Sequence, residues 1–137
     1  MTYWIIPCNL KYYDVFGAFE NNKVLDWKQS NPTINPGDQI FVYVGAPVQA
    51  IAFRCKVLEV NLRRHFIDDS EFSLVPEKFV NHDAHMRLEL IEKYDTSALN
   101  YAVMQEYGEK GRIMCQRRMG AILKAYIDGL NISRKQI

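Results

Sequence analysis

Residues 36–60, PGDQIFVYVGAPVQAIAFRCKVLEV, hold two β-type runs that leave little choice of fold. Pro36-Gly37-Asp38 signals a turn, because proline presets φ and glycine supplies a conformation other residues avoid. The six residues 39–44 are β-branched or aromatic for the most part. Gly45-Ala46-Pro47 breaks the run, and residues 49–60 form a second, longer one. The pattern predicts an antiparallel hairpin. Ile40, Val42 and Val44 share one face of its first strand, Phe41 and Tyr43 the other. Two apolar faces imply a strand covered on both sides. In the second strand Ile51, Phe53, Cys55 and Val57 alternate with Ala52, Arg54 and Lys56. Leu58 and Val60 then take over the apolar phase. Such a flip predicts a bulge or bend of the kind a small closed barrel needs, unless Val57 and Leu58 merely sit under different neighbours.

The flanking sequence supplies helices and further strands. Residues 3–7 (YWIIP) read as a short strand ended by Pro7 or placed at a sheet edge. Asn9 suits the N-cap of a helix over 10–21, in which Tyr12, Val15, Phe16 and Phe19 follow helical spacing. Residues 23–29 enter the element order as a short strand, yet Trp27, among Asp26, Lys28 and Gln29, reads as part of a polar loop. Residues 61–85 form a polar excursion with little regular structure. Met86, Leu88 and Leu90 alternate with Arg87 and Glu89 in a half-exposed strand over 86–94. Asp95, Thr96 and Ser97 offer caps for a short helix through Leu99, Val103 and Tyr107 that Gly108 stops. Residues 111–116 read as a brief strand or extended piece. Residues 118–130 carry an amphipathic helix with Met119, Ile122, Leu123, Tyr126, Ile127 and Leu130 as its stripe. The expected class is α+β, a single domain over 1–137 with a strongly bent, mixed sheet of five to six strands flanked by helices.

Totals narrow the function. Apolar residues make up 48% and charged residues 24% of 137, an ordinary soluble composition. No stretch reaches the roughly 20 apolar residues of a membrane span. The N-terminus lacks the basic region of a signal peptide, so the expected location is cytoplasmic. Cys8, Cys55 and Cys115 are widely spaced without a C-x-x-C pair, which suggests buried thiols rather than a metal or redox site. The net charge of +1 argues against nonspecific coating of nucleic acid, yet permits a local basic patch. His82, Asp83 and His85 have metal-like spacing but stand in the irregular excursion with no evident third ligand. Cys8 with His65 or His82 lacks any nucleophile signature. No cofactor or metal is expected.

Three features resemble the EVE domain, a PUA-like fold related to the YTH readers of methylated adenine and to ASCH domains. They are Tyr3-Trp4-Ile5-Ile6-Pro7-Cys8-Asn9 before the first helix, the isolated Trp27, and Pro36-Gly37-Asp38-Gln39-Ile40-Phe41-Val42-Tyr43. Residues 112–116 look like the short late strand that lines the same pocket. The segment between Trp27 and the Pro-Gly turn is shorter and poorer in Arg than in that family. The resemblance implies a PUA-like pseudo-barrel and a non-catalytic reader of a modified nucleobase. Modified cytosine or adenine in DNA is favoured, with RNA as the alternative and a separately encoded nuclease as a partner. Two other classes stay open: an ASCH-type small enzyme or small-ligand protein, and an RNA-binding accessory protein.

Reading a base takes it out of its stack into a pocket with apolar or aromatic walls and a few polar groups. Trp27 reads as a stacking wall or as a loop anchor, Trp4 as wall or core, and Tyr43 as wall or core. Pro7, Cys8 and Asn9 form an elbow whose backbone and amide could read a base edge, Asn9 also serving as a cap. Asp26 could accept from an exocyclic amine or be a surface charge. Lys110, Arg112, Gln116, Arg117 and Arg118 are the densest basic cluster. With Arg117 and Arg118 at the start of the last helix they suit phosphate, the other reading being a solvated helix start. Arg54, Lys56, Arg63 and Arg64 form a second candidate patch, or simply exposed charges.

Overall fold

A computed structural model describes residues 1–63, 67, 69–74 and 84–135. The elements run β1 (Tyr3–Cys8), α1 (Val15–Asn21), β2 (Val24–Lys28), β3 (Gln39–Val44), β4 (Ala50–Leu62), β5 (His85–Lys93), α2 (Tyr101–Glu106), β6 (Arg117–Arg118) and α3 (Ala121–Lys135). The strands form a six-stranded mixed sheet in the order β2-β5-β4-β3-β1-β6. β1 and β3 are parallel, and the other neighbours are antiparallel. The class is α+β, as the residue pattern predicts. Among the described residues no helix is long and apolar enough to cross a membrane.

The sheet is covered on both faces because its central strands are apolar on both. Trp4, Ile6, Cys8, Ile40, Val42 and Val44 enter one core with Val15, Ala18 and Phe19 of α1. Ile5, Phe41, Tyr43 and Ile51 enter the other with Met104 of α2 and Leu123 and Ile127 of α3. β3 and β4 form the expected hairpin. β4 bends through irregular pairing with β5 at Arg54/Cys55, Val57/Glu59 and Glu59/Leu62. The second shift lies where the apolar phase passes from Val57 to Leu58.

Asp38 ties the start of this sheet together. Its buried carboxylate accepts the Thr2 N–H, the Asn35 N–H and the Trp4 indole N–H, each at 3.0 Å. Gly37, at φ +92°, lets the chain turn tightly enough to place it there. Trp4 is therefore a core residue (1% exposed) whose polar atom is spent on Asp38.

Four elements depart from the sequence pattern. Asn9 does not cap α1: its Oδ1 accepts the Lys11 N–H in a local turn, and Asp14 caps the helix through the Gly17 N–H. Trp27 is not in a loop but on β2, where partners on β5 complete the strand. The alternation there was hidden because its buried positions include Asp26, an acid neutralised by Arg87 at 3.0 Å. Asn100, rather than Asp95, Thr96 or Ser97, caps α2, since Asp95 Oδ1 is held by the Ser97 N–H and Oγ. The last helix starts at Ala121, because Arg117 and Arg118 pair with Ile5 and Trp4 as β6.

Burial works to raise the Asp38 pKa, but the Asn35 and Thr2 backbone donors, the Trp4 indole and the N-terminal ammonium together hold it below the usual carboxylate range. A lowered native pKa stabilises the fold above roughly pH 4, and that contribution is lost as pH falls through the native value. Asp38→Ala is expected to cost about 2–3 kcal/mol at neutral pH, since it strands buried donors. Urea melts should show a lower midpoint with unchanged slope, and the acid limb of stability against pH should flatten. An unchanged midpoint would contradict the role given to Asp38.

Candidate functional site

The parallel strands β1 and β3 end in step, with Cys8 opposite Val44. Gly45 N–H then donates to the Cys8 carbonyl at 2.9 Å, and the two chains diverge. The Asn9 carbonyl accepts the Tyr12 and Tyr13 N–H groups, turning one chain toward α1. The Gly45 carbonyl accepts the Val48 N–H, turning the other toward β4. A cavity of about 410 Å³ opens between them, lined by Pro7, Cys8 and Asn9 on one side and Tyr43, Gly45 and Ala46 on the other. Ile113 and Met114 close it from a third segment. The volume falls within the roughly 300–1,000 Å³ of small-molecule sites.

That third segment, residues 108–120, is a strap between α2 and α3. At one end the buried Glu109 accepts the Gly120 N–H at 3.0 Å through Oε1, and its carbonyl accepts Gln105 Nε2. At the other, Gln116 Oε1 accepts the Ser30 and Asn31 N–H groups (2.9 and 3.2 Å) and its Nε2 donates to the Lys28 carbonyl (2.8 Å). Between these anchors Ile113 dips into the second core, while Met114 is left 76% exposed at the cavity. Residues 111–116 do not form a strand; the late strand is the two-residue β6 (Arg117–Arg118) within the strap.

The lining is uncharged at neutral pH. Burial, and then the Asp14 charge, push the Cys8 thiol up to about 12, so it stays protonated. Burial, and then Tyr101, raise the Tyr43 hydroxyl above its ordinary value. Asn9 spends its Oδ1 on Lys11, which leaves the Nδ2 hydrogens as what its side chain can offer. The site therefore suits a neutral group with hydrogen-bond acceptors, held against Pro7, Ile113 and Met114.

Of the residues singled out from the sequence, Pro7, Cys8, Asn9 and Tyr43 meet at this cavity, and Trp27, Asp26 and Trp4 do not line it. Trp27 lies partly buried against the first core, with Tyr13 edge-on at 5.6 Å. Asp26 is buried and bonded to Arg87 and the Ile67 N–H. Gly45 and Ala46 also line the cavity, and no sequence signal marks them for it, because a break in hydrophobic pattern says nothing of what faces it across space.

The basic cluster is also redistributed. Gln116 is a structural clamp. Arg117 donates to the Lys110 carbonyl at 3.3 Å, and Lys110 Nζ to the Gln105 carbonyl at 3.0 Å. The Arg118 guanidinium lies 5.6 Å from the Trp4 ring centre, within cation–π range. Arg112 is exposed beside Ile113. The N-terminus of α3 is not a vacant anion site, since the Glu109 carboxylate already meets the Gly120 N–H there. In the second patch Arg54 is buried over the Phe41 ring, bonded to Gln39 and paired with Asp128. Lys56 and Arg63 are exposed. His85 is buried on β5. Arg64, His65, His82 and Asp83 lie outside the described residues.

Comparison with known proteins supplies a fold and no closer kinship. No family model matches the chain. No curated protein matches it. Solved structures do. A hypothetical protein from Leishmania major superposes with a TM-score of 0.63 at 14% identity, covering 98% of this chain and 97% of that one. An ASCH protein from Zymomonas mobilis superposes at 0.59 and 9% identity, covering 93% and 94%. A Pseudomonas putida protein does so at 0.55 and 14%, covering 93% and 98%. The fold is the one seen in these ASCH structures.

Two measurements check this geometry. Thiol labelling of the native protein at pH 8 is expected to modify the exposed Cys115 rapidly, with Cys8 and Cys55 reacting only on unfolding. Rapid native labelling of Cys8 would contradict its burial. Gln116→Ala is expected to cost about 1 kcal/mol and to speed tryptic cleavage after Arg112, since the strap loses one anchor. Unchanged cleavage would mean that Gln116 does not hold the strap.

Proposed function

We propose that this chain binds nucleic acid and holds one unstacked nucleobase in the cavity between the ends of β1 and β3. The observation that carries this reading is the lining itself: Pro7, Cys8, Asn9 and Tyr43 converge with Ile113 and Met114 on an uncharged site of about 410 Å³. A nucleobase is a neutral, flat ligand with acceptors on its edge. The Asn9 amide offers donors to such acceptors, and Met114, Ile113 and Pro7 offer apolar contact to its faces. Arg112, exposed on the strap next to the cavity-lining Ile113, suits a phosphate that flanks a captured base. The PUA-like fold agrees with this use. The resemblance of residues 2–60 to EVE domains adds the finer expectation of a modified cytosine or adenine, with DNA favoured. The role is binding rather than catalysis: a thiol kept protonated by burial is a poor nucleophile.

The test is a fluorescence-anisotropy titration with oligonucleotides carrying 5-methylcytosine, 5-hydroxymethylcytosine, 6-methyladenine or no modification. Affinity is expected to fall with salt. Asn9→Ala, measured beside Met114→Ala because Asn9 also shapes its own turn, should weaken binding by about tenfold. Preference for one modified strand would identify the base. Absence of binding to DNA and RNA alike at low salt would overturn the proposal.

A further inference from the structure

The cavity holds one base and leaves open what lies next to it. Three residues beyond Asn9, the same turn displays Tyr12, 49% exposed. Among the described residues it is the one aromatic side chain in the set of large exposed apolar groups, the others being Met1, Leu74, Ile91, Met114 and Ile122. Lys11 is exposed and sets its Nζ over one face of the Tyr12 ring, 5.7 Å from its centre, which leaves the other face for stacking.

The turn that carries this pair is fixed from several directions. Tyr12 N–H donates to the Asn9 carbonyl at 3.0 Å, and the Tyr12 carbonyl accepts the Leu74 N–H at 2.8 Å. Tyr13 bridges to Ser73, sets its ring against Trp27, and donates its hydroxyl to the buried Asp69. Asp14 N–H donates to the Phe72 carbonyl at 2.8 Å. Of two consecutive tyrosines, one locks the turn from within and the other is held outward. An aromatic surface displayed on an ordered backbone loses little further freedom when a ligand stacks on it.

We propose that Tyr12 and Lys11 form a second nucleotide site, in which the base adjacent to the captured one stacks on Tyr12 and Lys11 meets a phosphate. This rests on the reading of the cavity given above and deepens it. A base stacked on a protein ring has left its own helical stack, so the ligand is single-stranded across at least two nucleotides. Stacking on an aromatic ring is tolerant of base identity, so the cavity selects and the tyrosine adds affinity. Trp27, on this view, acts behind Tyr13 as support for the turn rather than as a wall.

The experiment titrates short, labelled single strands of DNA and of RNA, and the corresponding duplexes, against wild type, Tyr12→Ala, Tyr12→Phe, Lys11→Gln and Asn9→Ala. For single strands Tyr12→Ala should bind about tenfold more weakly and Tyr12→Phe within about twofold of wild type. For duplexes the two should match wild type. Lys11→Gln should make the salt slope shallower by about 0.7. Whichever of DNA and RNA shows the Tyr12 effect names the strand. If Tyr12→Ala binds single strands as wild type does while Asn9→Ala is weakened, the second site is wrong and the cavity reading stands. If wild type binds no strand, the cavity reading fails and the second site falls with it.

Discussion

A buried carboxylate sets the frame of this protein. Asp38 sits at the mouth of β3, where an unpartnered charge would cost several kcal/mol. It is tolerated because Thr2, Trp4 and Asn35 all donate to it. Those three donors come from the start of β1 and from the turn before β3. Satisfying one acid thus locks two distant pieces of chain in register, Tyr3 opposite Gln39 and onward to Cys8 opposite Val44. The cavity opens where that register ends, so its floor inherits its precision from an interaction at the far end of the same strands.

The rest of the cavity depends on the strap. It has little regular structure of its own, and its position follows from side chains at its ends. Glu109 accepts the Gly120 N–H just before α3, and Gln116 binds the Lys28 carbonyl at the end of β2 and the Ser30 and Asn31 N–H groups after it. Between two such anchors Ile113 is buried and Met114 is not. This arrangement separates the tasks of the late segment. Polar residues that resemble a phosphate site in sequence hold the strap in place, and the apolar pair between them faces the cavity.

Buried charged groups in this fold meet partners. Asp26 pairs with Arg87, Asp69 accepts the Tyr13 hydroxyl, and Arg54 lies among Gln39, Phe41 and Asp128. None of the residues lining the cavity is charged, which is why a neutral ligand suits it.

Much of the fold was legible in the residues, for reasons local to the chain. The alternation of residues 39–44 on two apolar faces, the Pro-Gly turn, the phase flip after Val57 and the stripe through Leu123 and Ile127 each follow from backbone periodicity, and each is present. The elbow at Pro7, Cys8, Asn9 and Tyr43 was also readable, through strand ends and family resemblance. What the chain could not announce were choices made across space. Trp27 looked loop-bound because Asp26 needed Arg87, 61 residues away, before its strand made sense. Arg117 and Arg118 looked like a helix start until β1 claimed them, and Gln116 looked like a phosphate ligand until its partners at Lys28, Ser30 and Asn31 were in place. Hydrophobic period is written residue by residue, so the sequence determined the strands, the main helices and the two-sided core. A polar side chain is defined by the partner that meets it, and only the tertiary structure decided which of these residues hold the frame and which face the cavity.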